Sequence, residues 1–564
     1  MKKLIPFILL ANYCFAQTNY PKNYFRNPLD IPIVLAGTFG ELRSNHFHAG
    51  LDMKTKQREG LDVHAAADGY VSRIKVALWG YGKVIYVTHP NGYTSVYAHL
   101  KKFGDGIEEY VKNVQYRKKS FETGNIFLKE GEIPVKKGQV IGYSGSTGGF
   151  VAPHLHFEIR DTKTENIINP MHFGLTSKDT IVPSILKLVA YPLETTSRIN
   201  RSKKRTLLPL RRIKAGLYRT NKITAYGDIG FAINTSDQLN GTYNRNGVYS
   251  IEMLVNGKRF YYHDVETFSF AESKFINLHI DYNYYARFRS RVQKTYKEKN
   301  NKLSTYKTLV NNGIINVANS LNFTVTIKVR DFAGNTSKVI IPVFGVKSNS
   351  IFEKPKDSTN YKVEHQKFTK FIKNGVTVAF PKRTFYEDFY MDFDMTKDSM
   401  AVIHKPIIPL DRKYTLTFNV KNYSEKEKEQ MYIANMNNKR YANYVNTVKK
   451  DDKFYTTTKT LGKYKLLKDS IPPRIFKPNF RKGANINTKD YLKIKIEDKQ
   501  TGIKEYKAFI DDEWILMEYI LKRKELIYDF RDKKLVGNKH IFKLVVSDNV
   551  GNTNSYSATF YRKP

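Results

Sequence analysis

At 564 residues the chain is too long for one ordinary domain and points to three or four. Its 41% hydrophobic and 13% aromatic content excludes a wholly disordered chain, and 39 Tyr with 35 Phe favour strands over helical bundles. The net charge of +41, or +39 without Lys2 and Lys3 (41 − 2), draws the protein towards polyanions. Because the N-terminus reads as an export signal, nucleic acid is not expected as a partner. Anionic cell-envelope polymers fit better, against the plainer reading that lysine only keeps the surface soluble.

The chain opens "MKKLIPFILLANYCFAQTNY", with Lys2 and Lys3, an apolar centre Leu4 to Leu10, and "CFA" before Gln17. This reads as a signal peptide over 1–16, since the apolar run is too short to span a bilayer. No later stretch is long and apolar enough to cross one, so no transmembrane segment is expected after signal removal. Cys14 is the sole cysteine. A mature chain starting near Gln17 therefore forms no disulfide, uses no thiol nucleophile and binds metal only through nitrogen and oxygen.

Eight of the 13 histidines lie at or before His172, which places the chemistry in the first third. "FHAGLDM" (47–53) carries His48 and Asp52, "VYAHLKK" (96–102) carries His99, and "PHLHFEIR" (153–160) carries His154 and His156. In the last, Leu155, Phe157 and Ile159 alternate with His154, His156, Glu158 and Arg160, the period-two pattern of a strand with two different faces. Both imidazoles leave one face, about 6.5 Å apart along the backbone. Either could reach a metal. Glu158 shares that face and reads as an ordinary hydrogen-bonding residue, with orientation of one histidine as the alternative. His46, His64 and His89 read as structural.

Together these stretches resemble the lysostaphin-like (LytM-type) zinc endopeptidases of the cell wall: H-x-x-x-D, then a histidine in a Y-x-H-L context, then H-x-H. "GLDVHAAADGYVSRI" (60–74), "VIYVTHPNGYTSVYAHL" (84–100), "VKKGQVIGYSGSTGG" (135–149) and "INPMHFG" (168–174) look like that family's core and closing segments. The resemblance covers roughly 30–174. It implies an antiparallel β-sheet peptidase domain over 17–174, with zinc held by His48, Asp52 and His156 and with His99 and His154 as catalytic residues beside the activated water. Such a site would carry a net +1 charge, which lowers the pKa of bound water towards ~7. The implied substrate is the peptide stems of peptidoglycan, and the implied location is the periplasm or cell envelope of a bacterium. Two departures stand out. Ala152 and Pro153 replace the small polar and glycine residues common before the pair, and a mixed-charge insertion of about 101–134 follows His99. The insertion is expected to wall or cover the substrate groove.

Downstream, "DTIVPSI" (179–185) and "DSIPPRI" (469–475) share D-x-x-x-P-x-I, while "VRDFAGNT" (329–336) and "VSDNVGNT" (546–553) share V-x-D-x-x-G-N-T. Each pair opens and closes a segment in the same order, which suggests two copies of one module. These resemble immunoglobulin-like or fibronectin-like sandwiches, over 175–345 (with an insertion near 295–308) and 469–564. A further β-rich module occupies 346–468. The expected fold is thus mainly β: a zinc peptidase domain followed by about three β-sandwich modules. Two rival functions remain open at this level: a non-catalytic envelope scaffold or regulator of other wall hydrolases, and a zinc peptidase acting on a protein substrate.

Overall fold

The computed structural model describes residues 19–149, 152–347 and 359–563. The expected signal peptide lies outside them, as does most of the junction near 346–358. The first domain contains β1 (Leu35–Gly37), β2 (Leu51–Lys54), β3 (Asp62–His64), β4 (Gly69–Val76), β5 (Lys83–Thr88) and β6 (Tyr93–Ala98). It continues through β7 (Lys102–Phe103), α1 (Asp105–Lys118), β8 (Gly124–Phe127), β9 (Pro134–Val135), β10 (Val140–Tyr143), β11 (His154–Asp161) and β12 (Ile167–Ile168). The main sheet runs β1-β2-β11-β6-β5-β4-β8, and β3, β10 and β7 form a second, three-stranded sheet. All of the pairings that order the main sheet are antiparallel.

The centre of the sheet follows from side-chain chemistry. β5 ("KVIYVT") and β6 ("YTSVYA") are rich in β-branched and aromatic residues and pair as a hairpin across Pro90–Gly92, with Gly92 at φ 85°. β11 lies between β2 and β6 and is buried over all but its last position. One of its faces sends Leu155, Phe157 and Ile159 into the apolar core beside Leu51, Met53, Val87 and Tyr97. Each is fully buried, which stabilises the fold by roughly 1.5–3 kcal/mol per side chain. The other face carries His154, His156, Glu158 and Arg160, all buried as well.

The 101–134 segment folds as β7, α1 and β8. Ile107, Val111 and Val114 form the buried stripe of α1 at helical spacing. Asp105 and Glu108 sit in its first turn, Arg117 and Lys118 in its last, and left-handed Lys119 closes it.

Three larger apolar cores follow among the described residues. The strand Ile223–Ser236 pairs antiparallel with Ser184–Pro192 and, through its first residues, parallel with Thr336–Gly345, so it joins both faces of one 13-stranded arrangement. Asn322–Arg330 alternates as its sequence does, with Phe323, Val325, Ile327 and Val329 buried. From 359 onward, two five-stranded sheets share one core, and from 469 a four- and a five-stranded sheet share another. The first downstream module is fused to the peptidase-like domain. Thr267–Phe268 pairs with β12 and extends the main sheet, and Phe268, Phe275 and Ile276 enter the N-terminal core.

Candidate metal centre and its surroundings

Sheet register assembles the site. His156 stands opposite Asp52 on β2 and opposite Ala98 on β6, the residue before His99. Three distant stretches therefore meet because one central strand pairs on both edges. His48 precedes β2 and is fixed by backbone bonds from Gly40 N to its carbonyl and from its own N–H to Glu41 O. Gly50 lies between His48 and Asp52, where a Cβ would come 2.4 Å from Phe157 O and 3.0 Å from His156 Nε2. No larger residue fits there without displacing β11.

His48 donates Nδ1–H to Thr38 O (2.7 Å), which makes Nε2 its lone-pair nitrogen. That Nε2 lies 3.0 Å from Asp52 Oδ1 and 3.2 Å from His156 Nδ1, and His156 Nδ1 is 2.9 Å from the same Oδ1. A tetrahedral ion with 2.0–2.2 Å bonds has edges of roughly 3.4 Å, so this two-nitrogen, one-carboxylate set fits zinc. His156 Nε2 donates to Glu158 Oε1 (2.9 Å). Glu158 is itself held by Arg160 (2.6 Å) and by the hydroxyl of Tyr81. Arg43 reaches the second oxygen of Asp52 at 3.3 Å.

His99 and His154 stand next to this group. His99 is left-handed (φ 62°) and donates Nδ1–H to Thr147 O at 2.9 Å; His154 donates Nδ1–H to Ala152 O at 2.9 Å. Their ring centroids are 4.8 Å apart, and His154 Nε2 is 3.7 Å from Asp52 Oδ1. The loop carrying Thr147 packs so closely on the 80–82 turn that a Cβ on Gly148 (φ 89°) would meet Gly80 O at 2.0 Å.

The electrostatics divide the histidines. Burial, then the neighbouring His156 and His154, lowers His99 to about 3. Burial likewise lowers His154 despite the attraction of Asp52. Both are neutral imidazoles at neutral pH. Burial opposes the charge on His156 too, but its hydrogen bonds to Asp52 and Glu158 raise it to about 9. Burial would raise Asp52, yet the charges and hydrogen bonds of His48 and His156 hold it well below the usual carboxylate range. Arg160 and His156 overcome the burial of Glu158 and bring it to about 2. The site thus presents an ionised carboxylate ready for a cation and two uncharged imidazoles that can accept or donate a proton.

All five residues singled out in the sequence lie in this one place. His46 is exposed and bonds to Ser44 O; His64 bonds to Gly138 O; His89 lies between Asp68 O and Ser95 Oγ. None of them joins the donor group. Sequence reasoning missed Tyr81, Arg160 and Thr38, whose roles depend on pairing across the sheet. It also gave Glu158 the plainer of its two roles. Two acidic groups escaped notice altogether, Asp179–Asp237–Asp331 and Asp469–Asp498–Asp548, although four of the six stand in the repeated downstream motifs.

Residues 46–116 and 115–170 match the model of peptidase family M23, and residues 360–469 match that of the Zu5-like domain. Among curated proteins, the DD-carboxypeptidase/endopeptidase Mpg of Neisseria meningitidis is 34% identical over 138 residues, covering 24% of this chain and 25% of that protein. The peptidoglycan DD-endopeptidase ShyC of Vibrio cholerae is 29% identical over 145 residues, 24% of this chain and 27% of its own length. The chain thus spans about a quarter of these relatives. The lysostaphin catalytic domain of Staphylococcus simulans is 26% identical over 24% of this chain and 87% of that one, with a TM-score of 0.18.

Proposed function

From the premise that the chain carries a domain of peptidase family M23, we propose that it is an exported zinc metalloendopeptidase that hydrolyses peptide cross-links of peptidoglycan. One observation carries the reading: His48 Nε2, Asp52 Oδ1 and His156 Nδ1 converge within 3.2 Å of one another, with two neutral imidazoles alongside. His48, Asp52 and His156 would hold the zinc. When bound, that ion supplies Lewis acidity, polarising a carbonyl and acidifying water.

The chain's own residues do the rest. Thr38 and Glu158 fix the tautomers and orientations of His48 and His156. His99 and His154, neutral and oriented by carbonyls, stand where they can take the proton from an attacking water and pass it to the departing amine. Once Nε2 of either has taken that proton it becomes an N–H donor and can stabilise the developing oxyanion. The basic surface would assist approach to anionic envelope polymers, and the immunoglobulin-like modules downstream would hold the enzyme at the wall. Processing of a protein substrate would use the same residues.

The test is mutational. His48→Ala and His156→Ala are expected to lose both zinc and peptide release from purified sacculi. His99→Ala and His154→Ala are expected to keep zinc and to lose about 10²–10⁴-fold in turnover. Metal analysis and assay of released muropeptides read the two effects separately, and full activity in the first pair would sink the assignment.

A further inference from the structure

The first downstream module brings three carboxylates together at one end. Asp179 precedes the strand Ser184–Pro192, Asp237 follows Ile223–Ser236, and Asp331 follows Asn322–Arg330, with ligand-capable oxygens within 4.8 Å of one another. Among the described residues none of the three has a Lys or Arg partner within ion-pair distance. Asp237 and Asp331 are 3% and 2% exposed.

Such a cluster alone means little, and the second copy of the motif shows why. There Asp498 Oδ1 accepts from the backbone of Gln500, Thr501 and Gly502. Asp548 Oδ1 accepts from Val550, Gly551 and Asn552. Asp469 accepts from Ile471 N and Thr501 Oγ1. That cluster is satisfied by donors. The first is not. Asp331 is bound by Asn335 through its backbone and side chain, and Asp179 by Ile181 N, but Asp237 Oδ1 is buried with no hydrogen-bond partner. Its partner across an antiparallel bridge, Asn246, is 5% exposed, and both polar atoms of its amide also lack partners. Directly opposed residues share a face, so the Asn246 amide stands on the same side of the bridge as the Asp237 carboxylate.

A buried carboxylate oxygen without a donor is costly unless something positive meets it. Burial and the neighbouring Asp331 and Asp179 push the Asp237 carboxyl up to about 7, as expected of a site lacking its counter-charge. Asp179 and Asp237 also line a cavity of about 180 Å³, whose far wall includes Thr38 and Phe39 of the peptidase-like domain. That space can hold the waters that complete a hard cation's coordination.

We propose that Asp179, Asp237 and Asp331 form a binding site for a hard divalent cation of the calcium class. An all-oxygen set with several carboxylates and room for water suits calcium rather than zinc. The site lies on the first downstream module, apart from the His48–Asp52–His156 group, and stands whether or not that group is catalytic.

The test uses the full chain stripped with chelator, buffer-exchanged and reloaded with one equivalent of zinc, into which calcium chloride is titrated, followed by calorimetry and thermal unfolding. One equivalent of calcium is expected to bind to this cluster, with Kd on the order of 10⁻⁴–10⁻³ M as in other extracellular modules. It should raise the unfolding temperature. Asp237→Asn and Asp331→Asn should weaken that binding at least tenfold while Asp498→Asn leaves it unchanged, with half-exposed Asp179→Asn available if the buried variants fold poorly. The absence of calcium uptake, uptake indifferent to all three first-cluster variants, or uptake lost only in Asp498→Asn would each overturn the proposal.

Discussion

At the scale of single residues, H-x-H was legible because strand alternation puts both imidazoles on one face of β11, and H-x-x-x-D through its likeness to a known family. Glu158 was not, since its place in the alternation of β11 is that of any polar strand residue. Only the folded site shows it gripping His156 Nε2 at 2.9 Å while Arg160 grips it from behind. A carboxylate there keeps Nε2 protonated and Nδ1 directed at the metal. Glu158→Gln preserves the shape but removes the charge. Zinc affinity, measured by chelator competition, should fall about 10–100-fold. Arg160 keeps Glu165 at 3.3 Å and the Tyr81 hydroxyl but loses its shortest ion pair, so stability should also fall and the competition belongs well below the unfolding temperature. Unchanged affinity would mean that Glu158 serves Arg160 alone.

At the scale of elements, the strands Asn322–Arg330 and Tyr414–Asn419 alternate apolar and polar residues in the sequence, because each has one face on a core. Register was not legible. Nothing local to "PHLHFEIR" states that His156 lies opposite Asp52 rather than one residue away. The helical excursion of the first downstream module was equally hidden. Its helices occupy Phe270–Ser273, Ile276–His279 and Tyr282–Phe288, ahead of the 295–308 stretch singled out in the sequence, and Phe275, Ile276 and Leu278 pack on the N-terminal domain.

This seam holds a buried histidine pair with a consequence for acid stability. His279 bonds to Tyr306 Oη and Gln293 Oε1, meets Phe47, and stacks on His263 at 4.6 Å, with Lys294 nearby. Burial lowers His279 to about 4 and drives His263 well below its ordinary value. Both folded-state values are depressed below 6.5. The stabilisation is therefore present above pH 6.5 and is lost as pH falls towards 4, at about 1.4 kcal/mol per pH unit for each histidine. Denaturant midpoints should fall steeply between pH 6.5 and 4.5, and His279→Gln should flatten part of that slope. An unchanged slope in the variant would place the acid sensitivity elsewhere.

At the scale of the whole molecule, the repeated motifs revealed that modules recur but not where they dock. Docking rests on contacts between residues far apart in sequence, apolar and through sheet pairing for the first downstream module and largely polar for the last, which leave no periodic trace. The 101–134 insertion and the last module enclose a cleft of about 910 Å³, lined by Lys101, Lys112, Gly148, Gly149, Tyr519 and Arg523 among others. Lys112 bonds to Asp532 at 2.5 Å, and Tyr116 meets Trp514 edge-on at 5.4 Å.

A second link reaches the chemistry. Glu518 of the last module binds Lys83 Nζ at 3.0 Å, and the same ammonium donates to Lys101 O. The backbone N–H of Lys83 donates to Thr147 Oγ1, and Thr147 O orients His99. Burial alone would lower Lys83, but the charge and hydrogen bond of Glu518, with the charges of Glu108 and Asp532, together outweigh it and keep the ammonium protonated. Glu518→Gln weakens this tie without touching the metal-binding group. If the last module helps position His99, the variant should keep its full zinc content and lose turnover on sacculi, by less than the ~10²-fold expected for removal of His99 itself. A second change at Lys83 should then add little, since both residues act through one contact. Independent, additive losses would mean that the module braces the cleft mechanically and that Lys83 supports Thr147 unaided.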